Sequence, residues 1–396
     1  MKKEYHDKIN ILEKRIKNIE NMFNDDKNNI LLKIINNIDI EKINNTVDND
    51  IRKLLLKKVL NFYNVIQILD GKLIYLKSGS SGHTFKSIQS DENKSSYCVK
   101  VVAYPKKKCY GDIFNSTRPE NVEILVLSIL SYFVINKQTP HIVLPITTFN
   151  TNIDLFINLY KRGIVVNDKY KNFVTKYDNN EYYNNVSILI SEWADGGDLL
   201  DYLKKNYKCI KILEWKTLFF QIISTLAIIQ SKYPAFRHND LKANNILINK
   251  TFIKNNNKKY NYNINNISYI IPYIGYQIKI WDFDFACIEN ITINSKVESE
   301  WAKNINITST KHRYYYIHYF FNTLLKKGFL PEIINKKYIP IEVIEFINRV
   351  VPEKYRTSDN TTSSGRLLCN DEYLIPDDII KNDSFFNLFR KQLTND

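Results

Sequence analysis

The chain has 396 residues, 44% of them hydrophobic, and a formal net charge of +14. That apolar share fills one large two-lobed domain or two to three smaller ones, while the lack of an apolar run of about 18 residues predicts no membrane-spanning helix, and the charged start MKKEYHDKINILEKRI lacks the apolar core of a signal peptide. Five scattered cysteines with no CxxC pair, and six histidines without metal-ligand spacing, argue against a disulfide framework and a zinc site and point to a reducing compartment.

In chain order, residues 1–66 read as a helical extension. Ile9, Leu12, Ile16, Ile19 and Met22 recur at helical steps, and Leu54, Leu55, Val59 and Leu60 repeat the pattern. From Lys72 the period shortens: a strand, the glycine-bearing turn SGSSG, and a second strand YCVKVV follow. Pro119 opens a helix carrying Glu123, Leu127 and Leu130; Ile142 to Ile146 reads as a strand. The polar, Asn/Tyr-rich stretch Thr151 to Asn185 reads as an irregular insertion, and Val186 to Trp193 as a buried strand. After Gly196-Gly197 the pattern turns helical, with Leu218, Phe219, Ile222, Ile223, Leu226 and Ile229 on one broad face. Asn249 to Asn266 reads as a surface loop between two short strands, and the rest as mainly helical. A strand-rich half, 67–193, thus precedes a helix-rich half, 194–396, which predicts an α+β fold.

The chemistry concentrates in His238-Asn239-Asp240-Leu241-Lys242-Ala243-Asn244-Asn245, and in Trp281-Asp282-Phe283-Asp284 downstream. Phosphoryl transfer needs a divalent metal on hard oxygen ligands, which an Asn amide and a carboxylate supply: Asn245 and Asp282. It needs a carboxylate to orient the attacking hydroxyl and take its proton, Asp240. It needs a cation to offset charge in the transition state, Lys242.

HxDLKxxNIL followed by Asp-Phe resembles the catalytic and metal-binding loops of eukaryotic-type protein kinases. The resemblance runs from about residue 70 to 390 and implies a two-lobed kinase fold, with a small antiparallel sheet lobe and a larger helical lobe. It implies ATP with Mg2+, or Mn2+, as cofactors. Tyr97 to Val102 resembles the lysine-bearing third strand, which would put Lys100 on the α- and β-phosphates with Glu123 as its partner. Gly79, Ser80, Ser81 and Gly82 resemble the glycine-rich lid, with Lys77 where the first glycine falls. Ile190 to Leu199 resembles the hinge: the Glu192 carbonyl and Ala194 backbone would bond adenine, Asp198 would sit near the ribose, and Ser191 falls at the gatekeeper position.

Three departures stand out. Asn239 replaces the arginine that reads a phosphate on the activation loop, which argues against control of that kind. Asp284 replaces the glycine after Asp-Phe, and Ala-Pro-Glu is absent. The aspartate that often braces the catalytic loop has no counterpart that can be placed. With YYIHYFFNTL, these features look similar to the divergent serine/threonine kinases of large nucleocytoplasmic DNA viruses, the poxvirus-type virion kinase among them. That implies protein substrates and action in the host cytoplasm or the virion. Lys242 within Asp-Leu-Lys matches the serine/threonine branch.

Three rival readings compete with this one. A small-molecule kinase of the aminoglycoside or choline type shares HxDxxxxN, but the hinge, the lid and Lys242 speak against it. A pseudokinase scaffold has no chemical reason to keep Lys100, Asp240, Asn245 and Asp282 together. A nucleic-acid binder rests on charge alone, with no recognisable motif. The basic excess fits acidic protein substrates or an anionic membrane surface, or else reflects an AT-rich genome.

Overall fold

The computed structural model describes residues 59–69, 71–79, 82–88, 96–250 and 259–391. The apolar stripe at Ile9 to Met22 and residues Ser80 and Ser81 lie outside the described residues. The described residues divide into two compact units: those up to Ile129 with Leu144–Trp193, and Leu130–Val143 with those from Ala194 onward.

The first unit is built on helix α1 (Phe62–Leu69), strands β1 (Lys72–Ser78), β2 (His83–Ile88) and β3 (Tyr97–Pro105), the start of helix α2 (Pro119–Ile135), strand β4 (Pro145–Asn152), helices α3 (Asp154–Lys161) and α4 (Asp168–Asp178), and strand β5 (Tyr182–Glu192). The five strands form one antiparallel sheet in the order β1-β2-β3-β5-β4. Its central strands carry near-continuous apolar runs, and Val99, Val101, Val186, Ile188 and Ile190 are fully buried in the core.

Two expectations are corrected here. The insertion is not irregular: it holds α3 and α4. Ile153, Phe156 and Ile157, then Tyr170, Phe173 and Val174, recur at helical spacing and bury into the sheet's core. The Asn167 side chain caps α4 by accepting from Tyr170 N at 3.1 Å. The strand expected at Ile142 to Ile146 begins instead at Pro145, and Ile142 makes only an isolated bridge to Ile280.

The second unit contains helices α5 (Leu199–Asn206) and α6 (Ile212–Lys232), then β6 (Phe236–Arg237), β7 (Ile246–Lys250), β8 (Lys259–Ile264), β9 (Ile267–Pro272), β10 (Tyr276–Ile280) and β11 (Cys287–Ile288). Helices α7 (Glu300–Asn304), α8 (Tyr315–Leu324), α9 (Ile341–Val350) and α10 (Pro376–Asn382) follow. Helix α6 is long and apolar enough to cross a membrane, but 78% of its most apolar window is buried inside the protein. Phe219 and Phe220 lie at its centre: Phe219 packs on Phe321 and Phe346, and Phe220 on Tyr262, Tyr269 and Phe386.

Those two tyrosines show that the expected loop at Asn249 to Asn266 is, from Lys259, the first strand of the hairpin β8–β9. Asn265 and Asn266 turn it with φ of 47° and 67°, a left-handed pair that asparagine tolerates. Tyr262, Ile264, Tyr269 and Ile271 alternate inward.

Candidate active site

In the first unit, β3 presents Lys100 opposite Thr84 on β2 and Leu189 on β5, in the middle of the sheet. Its ammonium donates to Glu123 Oε1 at 2.6 Å, and both side chains are 5% exposed. A lysine can sit in an apolar strand only with such a partner. The pairing expected from the sequence is therefore present.

Gly82 is needed where it stands for a reason of packing. A Cβ there would lie 2.6 Å from the Val101 carbonyl oxygen and 2.9 Å from Val102 Cγ2. Gly79 has room, since its nearest neighbour would be the Gly82 carbonyl oxygen at 3.7 Å, the same atom that accepts from Gly79 N at 2.8 Å. The Glu192 carboxylate accepts from Leu144 N at 2.8 Å, which ties β5 to the segment leading into β4.

In the second unit, Ala194 is buried and Gly196 packs against β7, where a Cβ would lie 2.5 Å from the Ile248 side chain. Gly196 N donates to Ile248 O and Ile248 N to Gly197 O, each at 2.8 Å. The Asp198 carboxylate caps α5, accepting from Asp201 N at 3.0 Å.

The catalytic-loop residues are placed by one ladder. Strands β7 and β10 pair antiparallel with Ile246 opposite Ile280, so Asn245 and Trp281 meet at the same end, and Trp281 N donates to Asn245 O at 3.2 Å. Asp282 follows at once with φ of 66°. The Asn245 amide nitrogen donates to Asp240 O at 2.8 Å and to Asp240 Oδ2 at 3.0 Å. Both of those partners are acceptors, which fixes the amide and turns its oxygen to the other side. Lys242 Nζ lies 2.9 Å from Asp240 Oδ2. His238 Nε2 bonds Trp281 O at 3.1 Å, and burial lowers its pKa. The structure thus brings Asp240, Lys242, Asn245 and Asp282 to one end of the β7–β10 strand pair.

Sequence reasoning missed several groups around this cluster. Arg366 Nη2 donates to Asp240 Oδ1 at 2.5 Å, and the Tyr319 hydroxyl reaches the same oxygen at 3.3 Å. Burial works against the Arg366 charge, but Tyr315, Tyr319 and Asp240 around it hold its pKa above the ordinary value. Arg237 is fully buried, donates to Asn239 Oδ1, Thr310 O and Asn306 O, and stacks on Tyr315. Asn239, at φ of 60°, donates to Phe285 O and Thr308 O, each at 3.1 Å. Asp284 pairs with Lys296 at 2.6 Å, and Lys296 lies 3.4 Å over the Phe285 ring. The segment after Asp282 is thus held by buried side chains. Only Arg237, directly before the His-Asn-Asp run, was open to inference from position.

Comparison with known proteins shows the family. Residues 164–300 match the family model described as protein tyrosine and serine/threonine kinase. The chain is 48% identical over 346 residues to a protein of Acanthamoeba polyphaga mimivirus named "Putative serine/threonine-protein kinase R400", covering 85% of this chain and 73% of that one. The chain belongs to the protein kinase family, in its serine/threonine class. Within that class it is related to proteins of a large nucleocytoplasmic DNA virus, as the resemblance implied. Two further mimivirus proteins match over less than half of their own length. "Putative serine/threonine-protein kinase R301" is 30% identical over 43% of this chain and 47% of its own, and "Uncharacterized protein R402" is 24% identical over 69% and 29%.

Proposed function

We propose that this protein transfers the γ-phosphate of ATP to serine and threonine hydroxyls of protein substrates, with Asp240 as the orienting base. The observation that carries the reading is the fixed Asn245 amide. Its nitrogen is spent on Asp240 and its oxygen faces away, and Asp282 follows directly on Trp281, whose N–H bonds the Asn245 backbone carbonyl. An amide oxygen and a carboxylate are the hard ligands a divalent cation takes, so the residues fit Mg2+, and Mn2+ equally. When bound, the cation neutralises charge on the phosphates. Asp240 receives the hydroxyl proton, Lys242 meets the developing negative charge, and Lys100, steadied by Glu123, holds the α- and β-phosphates. The Glu192 carbonyl and Ala194 backbone take adenine, Asp198 the ribose, and Gly79 and Gly82 the phosphate lid.

Incubation with magnesium-ATP, a mixed protein substrate and a panel of small metabolites tests this. Mapped phosphoserine and phosphothreonine, lost in Asp240→Asn, support it. Phosphorylated metabolites alone would restore the small-molecule alternative.

The charge supports a preference for acidic partners. Exposed Lys204, Lys205 and Lys208 end α5 and the turn after it, and Lys204 Nζ bonds Gly328 O at 2.8 Å, beside exposed Lys327. Lys208 and Lys337 both lie over Tyr338. Such a patch attracts acidic proteins, or an anionic membrane surface, at low salt. Kinship with mimivirus proteins supports action in the cytoplasm of an infected cell or in the virion.

A further inference from the structure

Arg366 stands 126 residues beyond Asp240 in the chain. Its guanidinium holds the catalytic loop at two atoms: Nη2 donates to Asp240 Oδ1 at 2.5 Å and Nη1 to the Asn239 carbonyl oxygen. The plane lies 4.4 Å from the centre of the Tyr319 ring, and the side chain is 9% exposed. The turn that delivers it is closed on itself. Thr362 N donates to Arg366 O at 2.9 Å, and Arg366 N donates to Thr362 Oγ1 at 3.0 Å. Gly365 makes that turn with φ of 90°, and its carbonyl accepts from Asn322 Nδ2 at 3.0 Å. Asn322 and Tyr319 share α8, so one helix pins both the turn and the ring beneath the guanidinium.

We propose that Arg366 is a positioning residue for phosphoryl transfer, holding the Asp240 carboxylate so that Oδ2, not Oδ1, receives the substrate hydroxyl. The inference rests on Asp240 being the base. An aspartate carboxylate turns easily about its last torsion, which is broad and two-fold. A charge-assisted bond from a buried guanidinium stops that rotation, and a second bond to the preceding carbonyl ties the loop's backbone to the same group. Arg366 and Tyr319 between them occupy both lone pairs of Oδ1. Oδ2 is held by Asn245 and by Lys242, whose side chain is 27% exposed. When Lys242 turns to the phosphate, Oδ2 is the oxygen released to the hydroxyl. Arg366 also supplies a cation beside Asp240 where Asn239 offers none.

The test is steady-state kinetics of the full chain with magnesium-ATP and a protein substrate, with a thermal melt of each variant. Arg366→Met should lower kcat about 10²-fold, the scale of losing one preorganised donor, with both KM values within about threefold. Arg366→Lys keeps the charge and one bond, and should recover about tenfold of that loss. Asp240→Asn is the reference. If it is inactive while Arg366→Met keeps kcat within about threefold of the parent, the positioning role is wrong and the base assignment stands. If Asp240→Asn itself keeps the parent kcat, the base assignment fails and the inference with it. A fall in kcat together with raised KM values and a lowered melting temperature, without recovery in Arg366→Lys, would make Arg366 a structural residue only and overturn the proposal. Should Arg366→Met not fold, Arg366→Lys decides: a kcat equal to the parent refutes the proposal, and a loss confined to kcat supports it.

Discussion

Lys100 offers the sharpest test of how the first unit is held together. As a phosphate ligand alone, it would cost turnover only when lost. Burial reverses that expectation. Lys100 and Glu123 meet at 2.6 Å with 5% exposure each, so removing one charge leaves the other in a medium that cannot solvate it. Breaking a buried pair from one side costs about 3–5 kcal/mol, whereas replacing both partners with apolar groups of similar volume is about neutral. Lys100→Met should therefore lower the unfolding free energy by about 3–5 kcal/mol, and Lys100→Met with Glu123→Leu should return most of it. Urea titration with a fluorescence readout measures both, and phosphotransfer assays run alongside. Activity should fall on the order of 10²-fold in the single and the double variant alike, since neither keeps the lysine proposed to hold phosphate. A single variant as stable as the parent, or a double variant no more stable than the single, would refute the reasoning.

Three further outcomes are expected. Gly82→Ala should destabilise the β2–β3 edge and slow turnover, because its Cβ would meet the Val101 carbonyl at 2.6 Å, while Gly79→Ala should leave the melt unchanged; equal melts would dismiss the packing argument. Stability should fall in acid: burial lowers the pKa of His83, His312 and His318 from 6.5 to about 4. The folded state therefore prefers them neutral, and their contribution is complete above about pH 6.5 and is lost toward pH 4 at about 1.4 kcal/mol per pH unit for each. Urea midpoints at pH 7 and pH 5 measure this, and equal midpoints would count against it. Phosphatase-treated protein should keep most of its turnover, since Arg237 and Asn239 are already spent on the carbonyls of Asn306, Thr308, Thr310 and Phe285; abolished turnover would show that another basic group reads a phosphate.

By itself the sequence determined the fold class and the chemistry-bearing residues, because both depend on local order. Alternation around Lys100, the helical face of Leu218 to Ile229, and the spacing of Asp240, Lys242, Asn245 and Asp282 are set within short windows. Composition misled it at Thr151 to Asn185 and at Lys259 to Asn266. There asparagine and tyrosine masked apolar positions at steps of three and four, or two, that the structure buries. The Asn265-Asn266 turn carried a hairpin signal that a low-complexity reading passed over. Only the tertiary structure decided what surrounds the Asp240 carboxylate. Arg366 and Tyr319 come from segments 126 and 79 residues away, and no periodicity links them to the His-Asn-Asp run. A bracing residue acts through charge and distance rather than position in the chain, so the missing aspartate pointed nowhere until folding brought an arginine to the same loop.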